Sequence, residues 1–380
     1  MTPRLPDTLS GHRTRRRVAT GIATAALALA GLWSALPAGG SGPPFLSGLT
    51  HTSVISSTVP KDGDVNPYGL AVVPSTVGHL VQGDVLVANF NNANNKQGTG
   101  KTIVEVSPSA GTETTFAHIA QMPPGVGLTT ALAVLPNGFV AVGSLPTSNG
   151  RPHTAAAGGI FVLNNLGQVV ETITAPDIDG PWDLTATPTR GNQADLFVTN
   201  VLNGTVAAKG AVVNGGTVVR LTLDLNGPIP TLLGNTIIGS GYAERTDPAA
   251  LVVGPTGVGL APDGTLYVAD TVNSQIRAIP RALSRGDSAG LGALVTAAPG
   301  SLNGPLGLTV APNADILTVN GGDGNVVETT PSGTQVATFA LDASGNPPGA
   351  GALFGLAVTP SGNGLYYVDD ATNTLDLLGP

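Results

Sequence analysis

Cysteine is absent from all 380 residues. That excludes a disulfide framework, a thiolate-held zinc site and a cysteine nucleophile. Charged residues are scarce at 11 % and aromatics at 4 %, and there are only five histidines. Glycine and proline, in contrast, are abundant at 53 and 31 residues. At that density helices are broken too often for a helical bundle. A hydrophobic fraction of 41 % is enough for a packed core, so the chain is not broadly disordered. The net charge is −8; beyond the first 38 residues, 11 basic groups face 23 acidic ones, a net −12. An acidic body repels phosphate backbones, which excludes a nucleic-acid partner, and it suits metal cations or basic partners.

Residues 1–38 read as an export signal. Arg13, Arg15, Arg16 and Arg17 form a basic head, an apolar run from Val18 to Leu36 follows, and Pro37-Ala38-Gly39-Gly40 gives a small-residue exit. The Thr14–Ala19 run, TRRRVA, also resembles a twin-arginine signal, so both that route and general secretion stay open. The alternative is an uncleaved anchor, since the run just reaches membrane length. Residues 39–48 read as a Gly/Pro linker. The expected location is periplasmic, cell-envelope or extracellular. No later run approaches membrane length.

The body repeats six times. A short apolar strand closes on a proline, turns tightly, and is followed by a second strand ending near Asn or Asp. The closing prolines are Pro74, Pro136, Pro188, Pro262, Pro312 and Pro360. The first strands include PYGLAVVP, PWDLTATP and PLGLTVAP, and the second strands include GDVLVAN, ADLFVTN and GTLYVAD. β-branched enrichment over about six residues marks these as strands, and the Pro-Asn-Gly or Pro-Asp-Gly turns supply hairpin geometry. Two more strands follow in most units, such as KTIVEVS with TETTFAHIA. Four antiparallel strands in roughly fifty residues make a propeller blade. The expected fold is therefore all-β: a six-bladed β-propeller of four-stranded antiparallel blades over residues 49–380. The last unit has room for only three strands. The orphan strand at Leu49–Thr58 would complete it and cover its open edge.

Residues 255–277, PTGVGLAPDGTLYVADTVNSQIR, resemble a nearly complete NHL repeat, with Pro255, Gly257, Pro262-Asp263-Gly264, Asp270, Asn273 and Arg277 in place. The other units match in diluted form. The resemblance implies a six-bladed propeller and a range of activities, from protein or RNA binding to a few enzymes. Related propellers include the gluconolactonase/senescence-marker group, paraoxonases and strictosidine synthases.

Five units carry Asn/Asp-x-x-Asn/Asp at the end of the second strand: Asn89 and Asn92, Asn200 and Asn203, Asp270 and Asn273, Asn320 and Asp323, and Asp370 and Asn373. The second unit breaks the pattern with Gly143 and Pro146. Trp182 and Asp183 open the first strand of the third unit at the same rim. Such side chains shape turns by accepting nearby N–H groups. Alternatively, Asn89, Asn200, Asp270, Asn320 and Asp370 form an oxygen-lined ring, and Asp183, Asp270 and Asp370 bring charge for a calcium ion. The resemblance implies a metal of this kind in gluconolactonase-like relatives, although no glutamate matches at the rim. Trp182 reads either as a ligand wall or as packing between blades. His51, His79, His118 and His153 fall at no rim position of the repeats. The Gly286–Gly290 run, GDSAG, has no histidine after Ser288, and Gly98–Thr102 leads into a strand; neither is a catalytic or phosphate motif.

Long loops at Asn91–Gly100, Leu145–Gly158 and Leu202–Gly215 should crown that rim. The leading expectation is a monomeric, exported module binding a protein, glycan or small ligand there. The alternative is a calcium-dependent lactonase- or esterase-like hydrolase with its cation in the central channel.

Overall fold

The computed structural model describes residues 42–380. The expected export signal lies outside the described residues. Six antiparallel sheets are arranged around an axis. Their innermost strands are Val65–Val72, Leu128–Val134, Pro181–Thr189, Pro255–Leu260, Pro305–Val310 and Leu353–Val358. Each packs against the innermost strand of the next blade, and the sixth returns to the first. Second and third strands such as Val85–Asn91 and Gly159–Leu163 are buried along their whole length. Sheets stacked on both faces read as continuous apolar runs rather than as alternation. Outermost strands such as Thr112–His118 are largely exposed.

Glycine lets the innermost strands approach. A Cβ added at Gly257 would strike the Leu306 carbonyl, one at Gly307 the Phe354 carbonyl, and one at Gly355 the Tyr68 carbonyl. At Gly69 it would stand 2.9 Å from the Thr129 carbonyl oxygen. Four blades therefore meet their successors backbone to backbone. Blade three has Asp183 at this position. Its carboxylate accepts the Leu184 N–H at 2.8 Å and, across the blade boundary, the Val258 N–H at 3.2 Å.

Blade three departs from the four-stranded expectation. Its third strand, Val213–Asp224, and fourth, Thr231–Asp247, are 12 and 17 residues long, and a fifth short strand, Leu251–Val253, pairs with the end of the fourth. The chain turns back toward the axis because Leu251, Val252 and Val253 are buried against the rim side chains of other blades. That burial holds Leu251 at φ 62°, a conformation that costs an ordinary residue about 1 kcal/mol.

The ring closes with a clasp. His51–Ser57 pairs antiparallel with Thr374–Gly379 as the outermost strand of blade six. Upstream, within the segment read as linker, Phe45–Gly48 forms a 3-10 turn. The buried Glu328 of blade five accepts the Phe45 and Leu46 N–H groups at 2.6 and 2.8 Å. Leu46 and Leu49 are buried with Leu317, Leu353, Tyr367 and Leu378 of blades five and six. Leu46→Ala and Leu49→Ala should each cost about 2–4 kcal/mol in urea unfolding. Deleting residues 42–58 should lower the melting temperature of the whole ring in one transition. An unshifted melt would remove the clasp from the account of stability.

Candidate functional site

Each innermost strand starts at one rim, and the second strand ends there. At that rim the channel mouth is filled by side chains. Tyr68 of blade one stacks on Phe354 of blade six with ring centroids 3.8 Å apart, and on Phe90 at 4.4 Å. Trp182 of blade three tilts against Tyr68 and Phe354 at 6.2 and 6.4 Å. Leu306, Leu251, Val252 and Val253 complete the cluster. Trp182 is 2 % exposed, and its indole N–H donates to the Val252 carbonyl at 3.0 Å. The mouth is thus an apolar plug with its one indole donor satisfied.

Three of the Asn/Asp side chains that end second strands serve their own blades, whereas Asn373 of blade six accepts the Asn66 N–H of blade one at 2.7 Å. Asn89 donates to the Thr58 carbonyl at 2.9 Å and to the Thr102 hydroxyl at 3.3 Å. Asn320 donates to the Ser301 carbonyl and to Asp323, and accepts the Asn303 N–H. Asp270 accepts both contacts from the Asn273 amide at 3.0–3.1 Å, and Arg277 lies 3.8 Å away. Burial raises the Asp270 pKa, and Asn273 and Arg277 counter it. Asn200 is fully buried and bonds nothing.

Register corrects two positions. Pro255 pairs with Asp270 and Pro305 with Asn320, and the corresponding Leu353 pairs with Asp369 rather than Asp370. Asp369 accepts the Ala371 and Thr372 N–H groups. In blade two the corresponding residue is Ser144, not Gly143; it donates to the Gly125 carbonyl and accepts the Gly127 N–H. The slip in blade six has a simple origin: Thr265 separates Gly264 from its strand, whereas Gly364 leads directly into Leu365–Asp369.

Past the plug, the innermost strands enclose a cavity of about 300 Å³, lined by Leu70, Thr130, Thr185, Leu308 and Thr309, with Asp183 its only charged residue. Burial pushes the Asp183 carboxyl well above the usual range, against the two N–H groups it accepts. One carboxylate committed to backbone donors, beside threonine hydroxyls, does not fit a calcium ion that takes six to eight oxygens. Among the described residues no three His, Asp or Glu side chains gather as a metal cluster, so Asp183, Asp270 and Asp370 do not act together.

Open space at the rim lies elsewhere. A second cavity of about 310 Å³ sits against the outer face of the plug over blades four to six. Val253, Val272, Leu306 and Phe354 give it an apolar lining, and Gly304, Gly321 and Gly351 leave backbone accessible. Arg245 and Asp247, paired at 2.7 Å, form its polar wall. The long loops of blades one and two do not open a face of their own. The Thr147 hydroxyl donates to the Gln97 carbonyl at 2.6 Å, and the Gln97 amide donates to the Pro248 and Ala249 carbonyls. They brace the turn that walls the cleft. Arg245 and Asp247 lie outside the repeated phrase; their mark in the sequence is the run AERTD at Ala243–Asp247, dense in charge for this chain.

Asp370 is half-buried, and its pKa is pushed up to about 7 by burial and by neighbouring Asp369. The folded state therefore holds this proton more tightly than the unfolded chain, and the stability it confers is lost as pH rises from about 4 through 7. Asp370→Asn fixes the neutral form. It should stabilise the protein by about 2 kcal/mol at pH ~8.5, less than the full shift because of partial solvent access, and change little at pH ~5. Urea titrations at the two values check this.

No family model matches the chain, and no curated protein matches it. Solved structures do. One, assigned as a gluconolactonase, superposes with a TM-score of 0.55 at 16 % identity, covering 90 % of this chain and 97 % of its own. A gluconolactonase from Xanthomonas campestris gives 0.52 at 14 % identity, covering 90 % and 96 %. Regucalcin from Agrobacterium tumefaciens, a calcium-binding protein, gives 0.52 at 14 % identity, covering 87 % and 94 %. The fold of this chain is that of the gluconolactonase- and regucalcin-like six-bladed propellers.

Proposed function

We propose that this chain is an exported binding propeller that takes a compact, largely apolar ligand in the rim cleft over blades four to six. The observation that carries this reading is the cleft itself. Its volume of about 310 Å³ is at the small end of ligand sites. Its apolar lining and the Arg245–Asp247 pair at its wall match the usual division between affinity and orientation. The plug forms a rigid back to the cleft, since Tyr68, Trp182 and Phe354 are locked by stacking. A bound molecule would seat over Val272 and the edges of Leu306 and Phe354 and leave the fold unchanged.

A second reading, a lactonase- or esterase-like hydrolase, is favoured by the fold's company, which includes gluconolactonases and a calcium-binding protein. In its favour inside this chain stands one buried carboxyl in the channel, Asp183. Against it stand the filled mouth and the engagement of both Asp183 oxygens.

Ala249 is exposed and lines the cleft. Ala249→Trp should fill it without touching the core and leave stability within about 0.5 kcal/mol. In a fragment and short-peptide panel read by ligand-observed NMR, wild type should bind a subset and Ala249→Trp should lose at least about tenfold in affinity, or 1.4 kcal/mol. Equal binding by the two proteins would sink the cleft assignment. Turnover of sugar lactones with added calcium, abolished by Asp183→Asn, would install the hydrolase instead.

A further inference from the structure

We infer that Asp179, Asn200, Asn203 and Glu244 form a calcium-type cation site at the rim end of blade three, away from the channel axis. Six side-chain atoms of these four residues are buried without a hydrogen-bond partner: Asp179 Oδ1, both Asn200 amide atoms, Asn203 Nδ2 and both Glu244 carboxylate oxygens. Asn200 and Glu244 are each 0 % exposed. Buried polar atoms are almost always paired; the four oxygens among these six, Asp179 Oδ1, Asn200 Oδ1 and both Glu244 oxygens, are acceptors that a bound cation would satisfy, whereas the two Nδ2 atoms are donors that it would not.

The backbone brings the four together. Asn200 ends the second strand and Asn203 lies in the turn that follows. The Val201 N–H donates to the Gly180 carbonyl at 3.0 Å, which holds Asp179 beside that turn. Glu244 arrives on the long fourth strand. Its Oε1 lies 2.8 Å from the point where a Cβ at Gly215 would stand, and the Asn203 Cβ is also 2.8 Å from that point. A Cβ at Gly254 would meet the Glu244 Cβ at 2.8 Å and the Val201 side chain at 3.0 Å. Glycine at both positions leaves room for the carboxylate against the Asn200–Asn203 turn.

The comparison within the ring is equally informative. Asn89 and Asn320, at the matching position, each reach the connection that precedes their own innermost strand, at the Thr58 and Ser301 carbonyls. In blade three that connection carries Asp179. Asn200 makes no such bond.

The chemistry selects a hard cation. Two carboxylates and two carboxamides offer oxygen alone as ligand atoms, the preference of calcium, with backbone carbonyls and water completing its shell. No ion pair among the described residues involves Asp179 or Glu244: Arg245, Arg277, Arg285 and His118 pair with other acids. Asp179 lies near enough to Glu244 for the two negative charges to repel. Two crowded acids without a base are relieved by a divalent ion. Because Glu244 directly precedes Arg245, the ion would also tether the strand that leads into the cleft wall. The site does not depend on the cleft reading.

The test uses the full chain stripped with chelator, then titrated with calcium chloride by calorimetry and with terbium chloride by luminescence excited through Trp182 and Tyr242. Calcium should bind, displace terbium and raise the melting temperature. Glu244→Gln and Asp179→Asn keep the shapes and remove the charges; each should weaken binding by about tenfold or more. Asp270→Asn, on the neighbouring blade, should bind as wild type does. Failure of wild type to bind either metal at pH ~7.5 would overturn the site, with a proton shared by the two acids as the remaining account. So would binding that survives both charge-removing substitutions, or loss of binding in Asp270→Asn alone. Cleft ligands remain measurable in all three variants, so the outcome is independent of the binding assay.

Discussion

The close approach of neighbouring innermost strands sets everything else in this molecule. Gly69, Gly257, Gly307 and Gly355 bring four of the six innermost strands against the carbonyls of the next. The axis is consequently narrow, and the residues that open these strands are forced together at the mouth. Where they are polar, such a geometry gathers ligands. Here four of the six are Tyr68, Trp182, Leu306 and Phe354, with Thr130 and Thr256 at the other two, and the same geometry makes a largely hydrophobic seal. Burying three large rings contributes several kcal/mol to closure, on the order of 2 per ring, and seals the axis at this mouth.

This is why the shared fold does not by itself carry a function. The superposition with gluconolactonase-type structures covers nearly the whole propeller, at identities of 14–16 %. A shared scaffold transmits strand directions and rim positions, and leaves the side chains at those positions free to change. Sealing the mouth moves accessible volume outward, to the cleft behind Arg245 and Asp247. It also makes the loops of blades one and two into braces for the turn at Pro248–Ala249 instead of an open binding face.

Much of the architecture was legible because closure imposes repetition. The prolines and tight turns mark hairpins locally, and the missing strand of the last unit together with the orphan near the start pointed to the clasp. What escaped has physical reasons. Register at the strand ends depends on whether one residue intervenes between the turn glycine and the strand, and GTLYVAD and GLYYVDD differ there. The inward turn of Leu251–Val253 is stabilised by contacts with blades one, five and six, which no local pattern announces. The burial of Trp182 was one of two open readings, since the sequence shows an aromatic at the rim and not the rings that stack on it. Glu244 lay outside the repeated phrase altogether, so a search of repeat-matched positions passed over the one glutamate that reaches the rim of blade three.

Apart from the register slip of blade six, these exceptions fall in blade three. Blade three alone has a fifth strand, replaces the inter-strand glycine with Asp183, and leaves its rim asparagine without a partner. A repeat selected only for closure would gain nothing from any of these changes, because each costs stability: a strained Leu251, a buried carboxyl, and unpaired amides. Local departures from an otherwise consistent pattern accumulate where a protein has work other than folding. The cleft wall, the buried acids and the orphaned amides are all supplied by the same stretch of chain, from Asp179 to Val253. That coincidence, more than the likeness of the ring to other rings, locates the part of this propeller that distinguishes it.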